Sequence, residues 1–90
     1  MLRITVVTQS ETEVVLKVDG WIAGEGVALL GEEGNRWLQG GRRLVLELEG
    51  VGFIDEAGLA LLAGWPATQL TLRGASMYVR LLLQRHGLDR

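Results

Sequence analysis

Apolar and polar residues alternate at the start of the chain, as expected for a β-strand with one buried face. Leu2, Ile4 and Val6 fall on one side of this strand, and the polar residues 9–12 that follow are typical of a turn. A second alternating run covers residues 14–18. Because a short polar turn joins the two runs, they are expected to form an antiparallel pair.

Residues 23–39 show the spacing of an amphipathic helix, with charged side chains falling largely outside one apolar stripe. Three glycines within this segment weaken the helix, by about 1 kcal/mol each relative to alanine. Gly40 and Gly41 supply a stop signal. The stripe consists of Val27, Leu30, Gly34, Trp37 and Leu38.

A third strand is predicted at residues 44–48, which are more continuously apolar than the first two strands. Asp55 is a good N-cap for a helix, and Glu56 is a favourable anion in its first turn. The helix is short, because the pair Trp65 and Pro66 disfavours its continuation.

Residues 69–73 alternate as a fourth strand, and Ser76 can cap a last helix running to about His86, with Gly87 as its stop. The predicted order is therefore β-β-α-β-α-β-α. Strands alternating with helices after an antiparallel pair predict an α/β fold in which helices pack on a four-stranded mixed sheet. At 90 residues the chain has room for a single domain, residues 1–90.

Composition removes several functional classes. The formal net charge of −2 argues against nucleic-acid binding, because nucleic-acid binders carry a basic surface. The chain contains no cysteine and one histidine, so neither a thiolate site nor a multi-histidine metal site is expected. We predict no cofactor. No signal peptide is apparent and no apolar run is long enough to span a membrane, so a cytoplasmic protein without direct membrane insertion is expected.

Catalytic groups are sparse. The adjacent carboxylates Glu32 and Glu33, like Asp55 and Glu56, point in different directions on a helix and do not converge as an acid/base pair. His86 is predicted to be a surface residue at a helix end. We therefore expect a module that works by contact and is not an enzyme.

The three tryptophans carry much of the aromatic surface of this small chain. We expect Trp21, Trp37 and Trp65 in the core or at its boundary. An interface is the alternative for them.

Phe53-Ile54-Asp55, followed by Gly58-Leu59, stands at the predicted start of the second helix. With these residues, the stretch 44–59 resembles the STAS family, the anti-sigma-factor antagonist domains. Members of that family have a strand, a small loop, and then the sequence Phe-(Ile/Met)-Asp-Ser-(Ser/Thr)-Gly-Leu at the start of a helix. The C-terminal part is similar to the family's Gly-x-Ser-x-x-Val-Arg and to its closing Thr-Gly-Leu-Asp. The matching residues are Phe53, Ile54, Asp55, Gly58 and Leu59, then Gly74, Ser76, Val79, Arg80, Gly87, Leu88 and Asp89.

The resemblance implies that the turn before the second helix docks onto a protein partner. In the antagonists the residue before the glycine is a phosphorylated serine or threonine. Here that residue is Ala57, which cannot be phosphorylated, and Glu56 adds a permanent negative charge. Asp55 as a simple N-cap and Gly58 as a close-packing residue are the alternatives. The implied contact residues are Phe53, Asp55, Glu56, Ala57, Gly58 and Leu59.

Two further departures from the family bear on interfaces. Few residues separate Gly58 from Gln69, which shortens one wall of the usual partner surface. Apolar residues cover more than one face of the last helix, so Tyr78 and Leu81 are expected at a dimer or partner interface. A deeply buried last helix is the alternative.

The resemblance implies an interaction module that binds an anti-sigma factor of the serine-kinase type and is not switched at residue 57. Modification at Thr68 or Ser76 would restore a switch. An accessory subunit contacting the ATPase of a lipid-transporting ABC system is the alternative, because residues 58–62, Gly-Leu-Ala-Leu-Leu, resemble such subunits. Small-ligand sensing is a third hypothesis, and a homodimer stays open.

Overall fold

Seven elements follow one another in the predicted order. They are seen in a computed structural model that describes residues 1–88, so Asp89 of the family-like closing stretch lies outside the described residues. The elements are β1 (Leu2–Gln9), β2 (Glu13–Ile22), α1 (Glu25–Gln39), β3 (Arg43–Ile54), α2 (Glu56–Gly64), β4 (Leu70–Arg73) and α3 (Met77–Arg85).

The four strands form one mixed sheet in the order β1-β2-β3-β4. β1 and β2 are antiparallel, while β2–β3 and β3–β4 are parallel, so the predicted α/β fold is confirmed. The turn between β1 and β2 is held by Ser10, whose Oγ accepts hydrogen bonds from the amides of Thr12 (3.2 Å) and Glu13 (3.1 Å).

β3 is longer than predicted, because it continues from the apolar run to Ile54. The small loop that the family resemblance implied is therefore part of the strand. Two register shifts against β2, between Lys17 and Asp19 and between Gly20 and Trp21, mark the extension. Each shift inserts an extra residue into β3, which breaks the two-residue alternation that sequence patterns rely on.

The core lies between the helices and one face of the sheet. Val15 and Val45, on the other face, are buried but do not belong to the core cluster. All three helices therefore cover one face, which gives a two-layer domain. The strands contribute Val14, Leu16, Val18, Ile22, Leu44, Leu46, Leu48, Val51, Ile54 and Leu70 to this core, and the helices contribute Leu30, Leu59, Leu62, Val79 and Leu83.

The packing of α1 explains a glycine that weakened its prediction. A Cβ at Gly34 would lie 2.4 Å from the ring of Trp65, so only glycine leaves room for that ring. Trp65 is 6% exposed, and its Nε1 donates to Oδ1 of Asn35 at 2.9 Å. The expected core position of Trp65 is confirmed, and Trp37 packs partly buried against the core.

Candidate functional site

The turn that starts α2 is built around Asp55. Its Oδ1 accepts a hydrogen bond from the amide of Gly58 at 2.7 Å, so the predicted N-cap is confirmed. The backbone amide of Asp55 donates to the carbonyl oxygen of Ile22 at 3.1 Å, which fixes the turn to the end of β2.

The second carboxylate oxygen of Asp55 reaches a different helix. Its Oδ2 accepts from the amide of Gly24, the N-cap residue of α1, at 3.1 Å. The carboxylate thus lies at the N-termini of α1 and α2, where a negative charge is favourable. Since both oxygens bond within the chain, Asp55 holds the two helix starts together.

Gly58 and Leu59 form the inner side of the turn. A Cβ at Gly58 would lie 2.6 Å from the carbonyl oxygen of Ile22 and 2.9 Å from Cγ2 of both Ile22 and Ile54. Glycine is required there for close packing between helix and sheet, as the sequence suggested. Leu59 is 3% exposed and belongs to the core. Both residues support the turn from within.

The outer side of the turn consists of Glu56 and Ala57, which are exposed at the first two positions of α2. Ala57 presents only a methyl group to solvent. The exposed side of the turn therefore consists of a methyl group beside the carboxylate of Glu56.

An aromatic pair lies at the ends of β2 and β3 that lead to this turn, with Trp21 exposed and Phe53 half-buried. Trp21 and Phe53 face each other across β2 and β3, with ring centroids 6.0 Å apart and planes at 69°. Trp21 is 59% exposed, so the expected position in the core is wrong for it and the alternative of an interface stays open. The pair continues directly into the turn, since Ile22 and Ile54 follow in the two strands. We call Trp21, Phe53, Glu56 and Ala57 together the turn surface.

The sequence left Trp21 open between the core or its boundary and an interface, although a signal that favours exposure was present. Val14, Leu16 and Val18 are the buried side of β2, and Trp21 falls on the odd-numbered positions together with exposed Lys17. Strand alternation therefore points Trp21 away from the helices.

Tyr78 and Leu81 lie on α3 and are each 54% exposed. The helix buries Val79 and Leu83 instead, so the alternative of a deeply buried last helix is wrong. His86, the C-cap of α3, is exposed as predicted.

Other candidate sites are few in the described part of the chain. Residues 1–88 hold no group of three or more His, Asp or Glu that could bind a metal ion. No helix among them is long and apolar enough to cross a membrane. An open groove of about 390 Å³ lies between β4 and α3, and its lining includes Leu72, Arg80 and Leu88 but none of the turn surface.

Comparisons with known proteins agree with this architecture. The family described as "Mlab, STAS domain" (STAS_2) matches residues 5–90. Among solved structures, 11 chains match significantly. One of them is the anti-sigma factor antagonist SpoIIAA in its unphosphorylated form, with a TM-score of 0.70 and 18% identity over 91% of this chain and 82% of that chain. A search of curated protein sequences finds no significant match. SpoIIAA shares the fold, and the match over nearly the whole chain places this protein in the STAS_2 family of STAS domains.

Proposed function

We propose that this STAS domain is a non-enzymatic interaction module that docks onto a protein partner through the turn surface. The observation that carries the proposal is the 59% exposure of Trp21 next to a rigidly held turn. Tryptophan is among the side chains that dominate binding energy at protein interfaces.

The hydrogen bonds of Asp55 support this proposal because they fix the turn in advance. The carboxylate joins Gly24 to Gly58, and Gly58 packs tightly on Ile22 and Ile54. A preorganised surface loses little conformational entropy on binding, which leaves more of the contact energy for affinity.

Docking through this surface is constitutive in our proposal. A phosphate adds about −1.5 to −2 charge and opposes docking in the antagonists that carry a hydroxyl. Ala57 has none. The Oγ of Ser76 accepts from the amide of Val79 at 3.2 Å, and Thr68 is exposed between α2 and β4. Modification at Thr68 or Ser76 is the event that contradicts constitutive docking.

Two partner classes fit such a module. The first is an anti-sigma factor of the serine-kinase type, bound in a state that phosphorylation at residue 57 cannot end. The second is the ATPase of a lipid-transporting ABC system, which the Gly-Leu-Ala-Leu-Leu run at residues 58–62 favours. The absent hydroxyl also favours this second class, because a transporter subunit needs no phosphoacceptor.

Co-purification from the native host tests the proposal, with captured proteins identified by mass spectrometry. Ala57→Arg places a long cation in the turn surface and should abolish capture. Ala63→Arg makes the same change at an exposed position near the other end of α2 and should leave capture intact. Trp21→Ala should weaken binding to the purified partner by about 30-fold, as for a typical hot-spot residue.

The identity of the captured protein separates the two partner classes. A kinase-like regulator supports the first class, and a transporter ATPase supports the second. If Ala57→Arg and Trp21→Ala both retain full binding while folded by circular dichroism, the turn surface is not the docking site.

A further inference from the structure

The outer face of α3 carries an apolar patch centred on Leu81. Leu81 is two residues from both Val79 and Leu83, which are buried, so it lies on the opposite side of the helix. Met77 and Tyr78 precede it by four and three residues and share its face. The exposed fractions are 78% for Met77 and 54% for both Tyr78 and Leu81.

This patch has a basic border. Residues 76–88 contain Arg80 and Arg85 but no aspartate or glutamate. Both arginines are exposed, and neither side chain forms an ion pair within residues 1–88. The Leu81 patch, defined as Met77, Tyr78, Leu81, Arg80 and Arg85, therefore combines apolar surface with positive charge that no described residue pairs.

α1 carries a patch of the opposite charge. Leu29 is 54% exposed, and Glu25 and Glu32 lie four residues before it and three after it on the same helix face. Neither glutamate forms an ion pair among the described residues, whereas Glu33 is occupied by Arg36 at 3.2 Å. We call Glu25, Leu29 and Glu32 the Leu29 patch.

We propose that the chain associates with a second copy of itself by packing the Leu29 patch of one copy against the Leu81 patch of the other. The two patches are complementary, since each has an exposed apolar centre and their borders carry opposite charges. Pairing α3 with α3 would oppose arginines to arginines, and pairing α1 with α1 would oppose glutamates to glutamates. Charge therefore selects the α1–α3 contact.

The contact joins two different patches, so its geometry sets whether the assembly is isologous or head to tail. If both α1–α3 contacts form between the same two copies, the product is a closed dimer. If they form with different neighbours, copies add head to tail. None of the four residues of the turn surface belongs to either patch.

Sedimentation equilibrium across a wide concentration range tests the proposal. One double variant, Glu25→Arg with Glu32→Arg, makes both patches basic, and a second, Arg80→Glu with Arg85→Glu, makes both acidic. Each variant alone should self-associate at least about 10-fold more weakly than the wild type, because like charges now meet. An equimolar mixture of the two should recover association, because every α1–α3 contact between unlike copies is again complementary.

Two controls separate this result from other effects. Glu11→Arg changes an exposed acid in the β1–β2 turn and should leave self-association unchanged. Trp21→Ala should also leave it unchanged, so failure of the proposed partner docking would not affect this test. Added salt should weaken the wild-type association. A wild type that stays monomeric at every concentration, or folded double variants whose mixture does not recover association, would overturn the proposal.

Discussion

The starts of α2 and α3 look alike in sequence but differ in what they hold. Each helix follows a strand of the parallel part of the sheet and is capped by a side-chain oxygen, Asp55 in α2 and Ser76 in α3. The cap of α3 is local, since within residues 1–88 the Oγ of Ser76 accepts from Val79, three residues away, and from no distant element. The cap of α2 also binds Gly24 at the start of α1. The same local signal thus carries a long-range connection in only one of the two helices.

The difference extends to the residues inside each first turn. In α2 the third residue is Gly58, pressed against Ile22 and Ile54, so the turn cannot move without moving the sheet. α3 instead buries Val79 and leaves Met77 and Tyr78 in solvent. A fixed turn suits the presentation of a defined surface, whereas α3 offers an open helix face.

Among changes at the two helix starts, the largest expected effect comes from filling the tight contact in α2. Gly58→Ala places a methyl group 2.6 Å from the carbonyl oxygen of Ile22, a backbone atom that cannot easily move. We expect a loss of about 3 kcal/mol in the free energy of unfolding. Urea unfolding monitored by circular dichroism measures it.

Gly64→Ala is the matched control in the same helix. A Cβ there meets nothing within 4 Å, so alanine should raise stability by about 0.5 kcal/mol through its lower unfolded-state entropy. Equal stabilities for the two variants would mean that α2 does not pack on the sheet at Gly58.

The two caps provide the next comparison. Asp55→Ala removes the cap of α2 and the bond to Gly24, and should cost about 2 kcal/mol, against about 1 kcal/mol for Ser76→Ala. Asp55→Asn keeps one oxygen that can accept from Gly58 but has no second oxygen for Gly24. We therefore expect its loss in the free energy of unfolding to lie between those of Asp55→Ala and Ser76→Ala. Chemical denaturation compares all three. Identical losses for Asp55→Ala and Ser76→Ala would show that the contact with α1 contributes nothing.

The aromatic pair of Trp21 and Phe53 should contribute less to folding than either cap. Trp21→Ala removes an edge contact with Phe53 but leaves no buried cavity, so we expect a stability loss below about 1 kcal/mol. Trp65→Ala is the contrasting variant, because Trp65 is 6% exposed and should cost about 4 kcal/mol. A large loss for Trp21→Ala would indicate a structural role and weaken its assignment to an interface.

Local signals predicted most of the fold. Asp55, Ser76 and the glycines at 40, 41 and 87 mark helix ends through short-range backbone chemistry, and those ends lie where they were expected. The extension of β3 to Ile54 could not be predicted from local signals, because two inserted residues disturb the alternation of buried and exposed side chains along the strand. The bond between Asp55 and Gly24 joins residues 31 positions apart, and only the assembled sheet brings them together.

The smallest expected effect on stability is also the most informative about function. Ala57→Ser adds a hydroxyl at an exposed position in the first turn of α2 and should change the free energy of unfolding by less than about 0.5 kcal/mol. It restores the group that the antagonists use as a switch.

If the partner is a serine-kinase-type anti-sigma factor, incubation of Ala57→Ser with that partner and ATP should yield a phosphorylated protein with weakened binding, detected by intact mass and by pull-down. Ala60→Ser, which adds the same hydroxyl elsewhere on the exposed side of α2, should stay unmodified. If the partner is a transporter ATPase, neither variant should be phosphorylated and both should bind as the wild type does. The side chain at residue 57 thus decides whether the turn can be switched by phosphorylation or only docks. The fixed geometry around Asp55 and Gly58 is the same in the wild type and in Ala57→Ser.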